Sequence, residues 1–122
     1  MQNNFGVFRR GGLMEKGIDE LAKTREEVDS IFLKDKSATF NTARIEALEM
    51  QNLFEVAEAT AITANARKES RGAHARDDFT ERDDENWLKH SIYFADTKEV
   101  SKRDVNYRPK TVQAFQPMVR SY

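Results

Sequence analysis

The chain has 122 residues, enough for one domain with a modest core. Charged residues make up 34% and hydrophobic residues 39%, and the net charge is -1, which excludes the clustered, uncompensated Lys and Arg of a nucleic-acid footprint. The absence of cysteine excludes disulfide frameworks, thiolate zinc sites and cysteine nucleophiles.

The signs are unevenly spread. Residues 1–86 carry 13 basic and 18 acidic side chains (net -5), and residues 87–122 carry 7 and 3 (net +4), so the two parts are expected to attract each other, ahead of the alternative that the asymmetry marks a docking surface. No window approaches about eighteen consecutive apolar residues, so no membrane span is expected. Met1–Phe8 lacks a basic lead, an apolar run and a small-residue cleavage site, which argues against a secretory signal there and makes the cytoplasm the expected compartment.

In chain order, residues 2–8 read as one or two helical turns presenting Phe5 and Phe8, and Gly11-Gly12 break them. Met14, Ile18, Leu21, Val28 and Ile31/Phe32 recur at three- and four-residue steps and predict an amphipathic helix over 12–31 with a charged, solvated outer face. Asn41 is a good N-cap, and Phe40 stands at staple distance from Ile45. A longer helix is expected from Thr42 to about Ser70, with Gly72 as its C′ stop.

That helix carries two apolar stripes. One is Ile45, Leu48, Leu53, Val56, Ala59/Thr60 and Thr63; the other is Ala43, Ala47, Met50, Phe54, Ala57, Ala61 and Ala64. A helix apolar most of the way round must be buried on more than one side, and one partner helix covers only one. A missing partner surface is therefore expected.

Residues 67–85 hold five basic and seven acidic groups and only Phe79 as a core candidate. Beyond them, Trp87–Phe94 and Val100–Tyr107 read as a hairpin turning at Ala95–Glu99. Pro109 and Pro117 keep the tail extended, with Val112, Phe115, Met118, Val119 and Tyr122 as isolated apolar anchors. The chain is thus expected to form one domain, with a helical bundle and charged loop in 1–86 and a hairpin and tail in 87–122.

Chemical motifs are sparse. Two lone histidines, His74 and His90, do not make a metal site, since zinc wants three or four spaced ligands. Ser70, His74 and Asp77 lack a strained elbow and oxyanion donors. No glycine fingerprint follows a strand, so no dinucleotide site is expected. The carboxylates of Asp77, Asp78, Asp83, Asp84 and Glu85 are best read as ion-pair partners of Arg71, Arg76 and Arg82. No catalytic, cofactor-binding or metal residue emerges.

The run Ala66-Arg67-Lys68-Glu69-Ser70-Arg71-Gly72-Ala73-His74, then Asp77–His90 with its Arg82-Asp83-Asp84-Glu85-Asn86-Trp87-Leu88-Lys89-His90, resembles the C-terminal domain of the succinate dehydrogenase/fumarate reductase flavoprotein subunit. Met1–Arg9, Phe40-Asn41-Thr42, Val105-Asn106 and Pro109-Lys110 extend the likeness over the whole chain. Thr80 stands where that family commonly has proline. L-Aspartate oxidases share the Glu69–His74 element, but the run through His90 favours succinate dehydrogenase over both aspartate oxidase and fumarate reductase.

The resemblance implies a mainly α fold: a spectrin-repeat-like up-and-down helical bundle, its first helix represented by residues 2–8, then a small antiparallel β-hairpin and an extended tail. It implies a parent subunit that carries covalent FAD and oxidises succinate to fumarate. Electrons then pass to an iron–sulfur subunit and on to quinone through membrane anchor subunits, on the cytoplasmic face of the bacterial inner membrane. The family's flavin- and substrate-binding residues lie upstream, so none is carried over and this part alone is expected to be inactive. Its implied partner is the flavin-binding domain of the same subunit, met through Ala57, Ala61, Ala64, Arg71, His74 and Arg76. Left uncovered, that face is expected to self-associate; used by another protein, it would make the chain a free-standing helical adaptor.

Overall fold

The structure, a computed structural model, describes residues 1–118. Two long helices dominate: α2 (Gly11–Asp29) and α3 (Thr42–Ala66). They run antiparallel, since Met14 shares a core with Ala61 and Ala64 while Arg25, eleven residues on, pairs with Glu55 at 2.7 Å. A short α1 (Gln2–Phe5) lies against α2, and β3 (Lys89–Phe94) and β4 (Glu99–Asp104) form an antiparallel hairpin against α3. The expected mainly α bundle followed by a hairpin is what forms.

Between these elements lie three small ones that periodicity does not signal. β1 (Phe8–Arg9) and β2 (Ala75–Arg76) pair in parallel, Phe8 with Ala75 and Arg9 with Arg76. α4 (Asp84–Trp87) is a single turn capped by Asp83, whose carboxylate accepts the Asn86 N–H at 2.9 Å. That turn replaces the expected start of the first hairpin strand at Trp87.

The core is small: Phe5, Met14, Ala61 and Ala64, with Ile18 and Leu21 packed beside it. It selects the alanine stripe of α3, because small side chains let two helices approach closely while Phe5 and Met14 fill the space above them. The Ile45, Leu48, Leu53 and Val56 stripe stays outside, with Leu53 65% and Val56 66% exposed.

Gly17 sits where α1 meets α2. A Cβ there would come within 2.5 Å of the Phe5 ring, so only glycine admits the contact. In an open helix, Gly17→Ala would stabilise by about 1 kcal/mol. Here it is expected to destabilise by about 1–3 kcal/mol through overpacking, measured by urea denaturation. A stabilised variant would show that Phe5 does not seat on α2.

Several local expectations are corrected. α2 ends at Asp29, two residues short of the expected stop. α3 ends at Ala66 rather than Ser70, because Arg67 leaves the helix with extended backbone angles (φ -80, ψ 108). Gly72 therefore does not cap a helix. Its φ of +58 serves a tight turn in which Arg71 and His74 exchange backbone hydrogen bonds at 2.8 and 3.0 Å. Asn41 does cap α3, its Oδ1 accepting the Arg44 N–H at 2.8 Å. Phe40, however, is 99% exposed with φ +53, so it makes no staple with Ile45. The second hairpin strand ends at Asp104 rather than Tyr107. In the tail, Val112, Phe115 and Met118 are exposed rather than anchored on this chain, and Val119 and Tyr122 lie outside the described residues.

Candidate functional site: the charged corner after α3

The corner begins where α3 runs out. Its last carbonyl groups need donors, and the helix dipole makes that end negative. Arg76 answers both needs. Only 3% exposed, it donates from Nη1 to the carbonyls of Asn65 and Arg67, each at 3.2 Å, and reaches that of Ala64. Its other side forks onto Asp78, with Nε to Oδ1 and Nη2 to Oδ2 both at 2.7 Å.

Asp78 in turn accepts the Gly11 N–H at 2.9 Å. α2 has no side-chain cap of its own, so this carboxylate acts as its anionic cap from 67 positions away. One Arg–Asp pair thus closes the C-terminus of α3 and the N-terminus of α2 together. The Arg76 guanidinium holds the Asp78 carboxyl well below the usual carboxylate range, against partial burial and with help from the Gly11 N–H.

Glu69 centres a second network and is fully enclosed. It accepts from Arg67, from Arg71 Nε at 2.8 Å and Nη2 at 3.0 Å, and from the Asp83 N–H at 2.9 Å. Burial opposes its charge, but the hydrogen bonds from Arg71, Asp83 and Arg67 outweigh it and hold the carboxyl below its ordinary value. Arg67 continues to the carbonyls of Trp87 and Lys89 at 2.9 and 2.7 Å, and Arg71 to Asp84 at 2.6 Å. Helix end, loop and hairpin are clamped through one carboxylate.

His74 joins the start of the chain to this corner. Arg9 Nη1 donates to Nδ1 at 2.7 Å, which leaves Nε2–H to donate to the Arg67 carbonyl at 3.1 Å. Burial, then the charges of Arg9, Arg76 and Arg67, push its pKa below 6.5, although the bond to the Arg67 carbonyl pulls the other way. Folding therefore favours the neutral ring, and the stability this contributes is present above about pH 6.5 and is lost as pH falls below it. Nitrogen-15 chemical shifts are expected to show the Nε2–H tautomer and a midpoint below 6.5. A midpoint at or above 6.5 would contradict the Arg9 contact.

The residues expected at a domain interface separate into two groups. Ala61 (0% exposed), Ala64 (7%) and Arg76 are already covered within this chain, the alanines by Phe5 and Met14 and the arginine by the end of α3. Of the three, Ala64 also lines a cleft beside His74. Ala57, Arg71 and His74 are half-buried. The open face lies a few residues round the helix, at Leu53 and Val56.

The expected ion pairs Arg76–Asp78, Arg71–Asp84 and Arg82–Asp84 form, while Asp77 pairs with Arg10 at 2.9 Å. Glu69 is what sequence reasoning missed. The alternation Arg67-x-Glu69-x-Arg71 was its only signal.

The Ser70 hydroxyl accepts the Arg76 N–H and donates to the Phe79 carbonyl, each at 2.8 Å, and both nitrogens of His74 are engaged elsewhere. Among the described residues no group of three His, Cys, Asp or Glu is placed to hold a metal. The parallel pair β1·β2 is two residues long on each side, and Gly11-Gly12, which follow β1 and open α2, already have the Asp78 carboxylate on the Gly11 N–H, so this helix start lacks both the strand–turn–helix unit and the free N–H groups that a dinucleotide phosphate takes. No described helix is long and apolar enough to cross a membrane.

Comparison with known proteins assigns the chain to a family. Residues 1–122 match the family model described as fumarate reductase flavoprotein C-term. The succinate dehydrogenase flavoprotein subunit of Coxiella burnetii is 51% identical over 120 residues, covering 98% of this chain and 20% of that protein. The fumarate reductase flavoprotein subunit of Haemophilus influenzae is 37% identical over 122 residues, covering 100% and 20%. A solved E. coli quinol fumarate reductase chain superposes with a TM-score of 0.80 at 39% identity, covering 95% of this chain and 20% of that one. The chain spans about a fifth of the length of the curated relatives it matches. It belongs to the C-terminal domain family of the succinate dehydrogenase/fumarate reductase flavoprotein subunits.

Proposed function

We propose that this chain is the non-catalytic C-terminal domain of a succinate dehydrogenase flavoprotein. The observation that carries the reading is the match of almost the whole chain, at 51% identity, to one fifth of a succinate dehydrogenase subunit. In this reading the remaining four fifths hold covalent FAD and oxidise succinate to fumarate. Electrons leave through an iron–sulfur subunit and membrane anchor subunits at the cytoplasmic face of the bacterial inner membrane. The present residues bind neither flavin nor substrate. They close the flavoprotein by packing against its flavin domain, and the Glu69 and Arg76 networks keep the packed surface rigid.

A reductase working in the opposite direction is the second reading, supported by the 37% identity to a fumarate reductase subunit. The test is to express the full reading frame and this chain separately. The full protein is expected to bind flavin and, co-expressed with its iron–sulfur and anchor subunits, to reduce a quinone analogue faster with succinate than it oxidises a quinol with fumarate. The chain alone is expected to be colourless and inactive. Flavin bound to the chain alone would overturn the reading.

A further inference from the structure

One cleft is left over once the corner is built. It lies between the last turns of α3 and the start of β3, is open to the surface with a volume of about 330 Å³, and is lined by Arg9, Thr60, Thr63, Ala64, His74 and Lys89 among others, the Lys89 ammonium being paired with Asp104. Three guanidinium groups crowd His74 there. Two are neutralised, Arg67 by Glu69 and Arg76 by Asp78. Arg9 is not: its bonds go to the Gly6 carbonyl at 3.1 Å and to neutral His74, and among the described residues no carboxylate pairs with it. A half-buried cation without a counter-charge in a polar cleft favours an anion beside it.

The cleft also does not stand alone. Leu53, Val56, Thr60 and Thr63 follow one another at three- and four-residue steps and lead along the uncovered face of α3 to Arg67 at the cleft wall. An open apolar strip of this kind is what a packed neighbour covers.

From these two features we infer that the strip and cleft form one docking surface for the flavin domain of the same subunit, which seats an apolar ridge on Leu53 and Val56 and inserts a carboxylate side chain beside Arg9. This rests on the proposed function and adds the site and the chemistry of the contact. The chain's span of a fifth of its relatives leaves an occupant large enough to cover the strip, and the uncompensated charge of Arg9 selects its acidic side chain.

The test uses the full-length flavoprotein. Arg9→Lys puts an amine in the cleft, and a zero-length carbodiimide reagent joins amines to carboxylates in direct contact. Lys89 with Asp104 and Lys98 with Glu58 (2.7 Å) are built-in positive controls. The expected product is a link from position 9 to a carboxylate of the flavin domain in the same polypeptide, and a link to the rest of the bundle's first helix would overturn the inference. The control links with none from position 9, or a link from position 9 to Glu46 or Glu49 of a second copy, would overturn the inference. A second variant, Arg9→Glu, is expected to speed amide exchange over residues 60–67 by about thirtyfold, as loss of a desolvated charge pair at an interface does. Exchange around Met14 and Val28 is expected to stay slow. Unchanged exchange over 60–67 would overturn the inference. Acceleration everywhere would also overturn it, by assigning Arg9 to the internal fold. Succinate oxidation by the wild-type sample separates the two ideas: an active flavoprotein without the link defeats only the docking contact.

Discussion

Glu69→Ala is expected to destabilise the chain by about 3–5 kcal/mol, because it removes the shared partner of two guanidinium groups and leaves them desolvated. Glu69 is fully enclosed, and Arg67, Arg71 and the Asp83 N–H all donate to it. The loss is therefore more than one surface pair, which would amount to about 0–1 kcal/mol. Urea denaturation followed by Trp87 fluorescence reads it directly, since Arg67 lies over the Trp87 ring at 5.2 Å. The pH dependence gives a second check. The folded carboxyl titrates below its ordinary value, so its contribution is present above about pH 4.3 and is lost as the solution is acidified further. The variant is expected to show a flatter stability curve below that pH. A loss under about 1 kcal/mol, or an unchanged acid limb, would show that the network does not hold the corner.

Arg76→Ala is expected to cost a similar amount, about 3–5 kcal/mol, for a different reason. It uncaps the end of α3 and strips Asp78 of its partner, weakening the anionic cap on α2. Arg76→Lys is expected to recover less than half, since an ammonium cannot fork onto both Asp78 oxygens while reaching the α3 carbonyls. Amide exchange at Gly11 distinguishes this from general loosening: it should rise in Arg76→Ala more than exchange in the middle of α3. Full rescue by lysine would show that only the charge matters.

The large elements were legible because their causes are local. The step of three and four from Met14 to Val28, the Asn41 cap and the β-branched and aromatic run around Ile92 each act within a few residues. What stayed hidden depends on residues far apart in the chain. Nothing near Gly11 shows that Asp78 caps α2, and nothing near Phe8 shows that it pairs beside Ala75. Gly72 had two local uses, helix stop or tight turn, and Arg76 decided between them by satisfying the α3 carbonyls itself.

The same limit applies to the two faces of α3. Both stripes of α3 are apolar at helical period, so periodicity cannot rank them. Volume does: the glycine face at Gly17 and the small Ala61 and Ala64 allow the close approach that Phe5 and Met14 then seal. Larger Leu53 and Val56 are left on the outside. The charge balance of the corner was visible as composition, but its hub was not. Glu69 differs from the exposed acids around it only in being enclosed by two arginines that flank it in sequence.

The most direct test of the account is amide hydrogen exchange of the full flavoprotein compared with this chain by itself. The account predicts added protection over residues 53–67, where the open strip and cleft lie, with little change on the charged outer face of α2 around residues 15–27. Equal exchange over 53–67 in the two samples would contradict it.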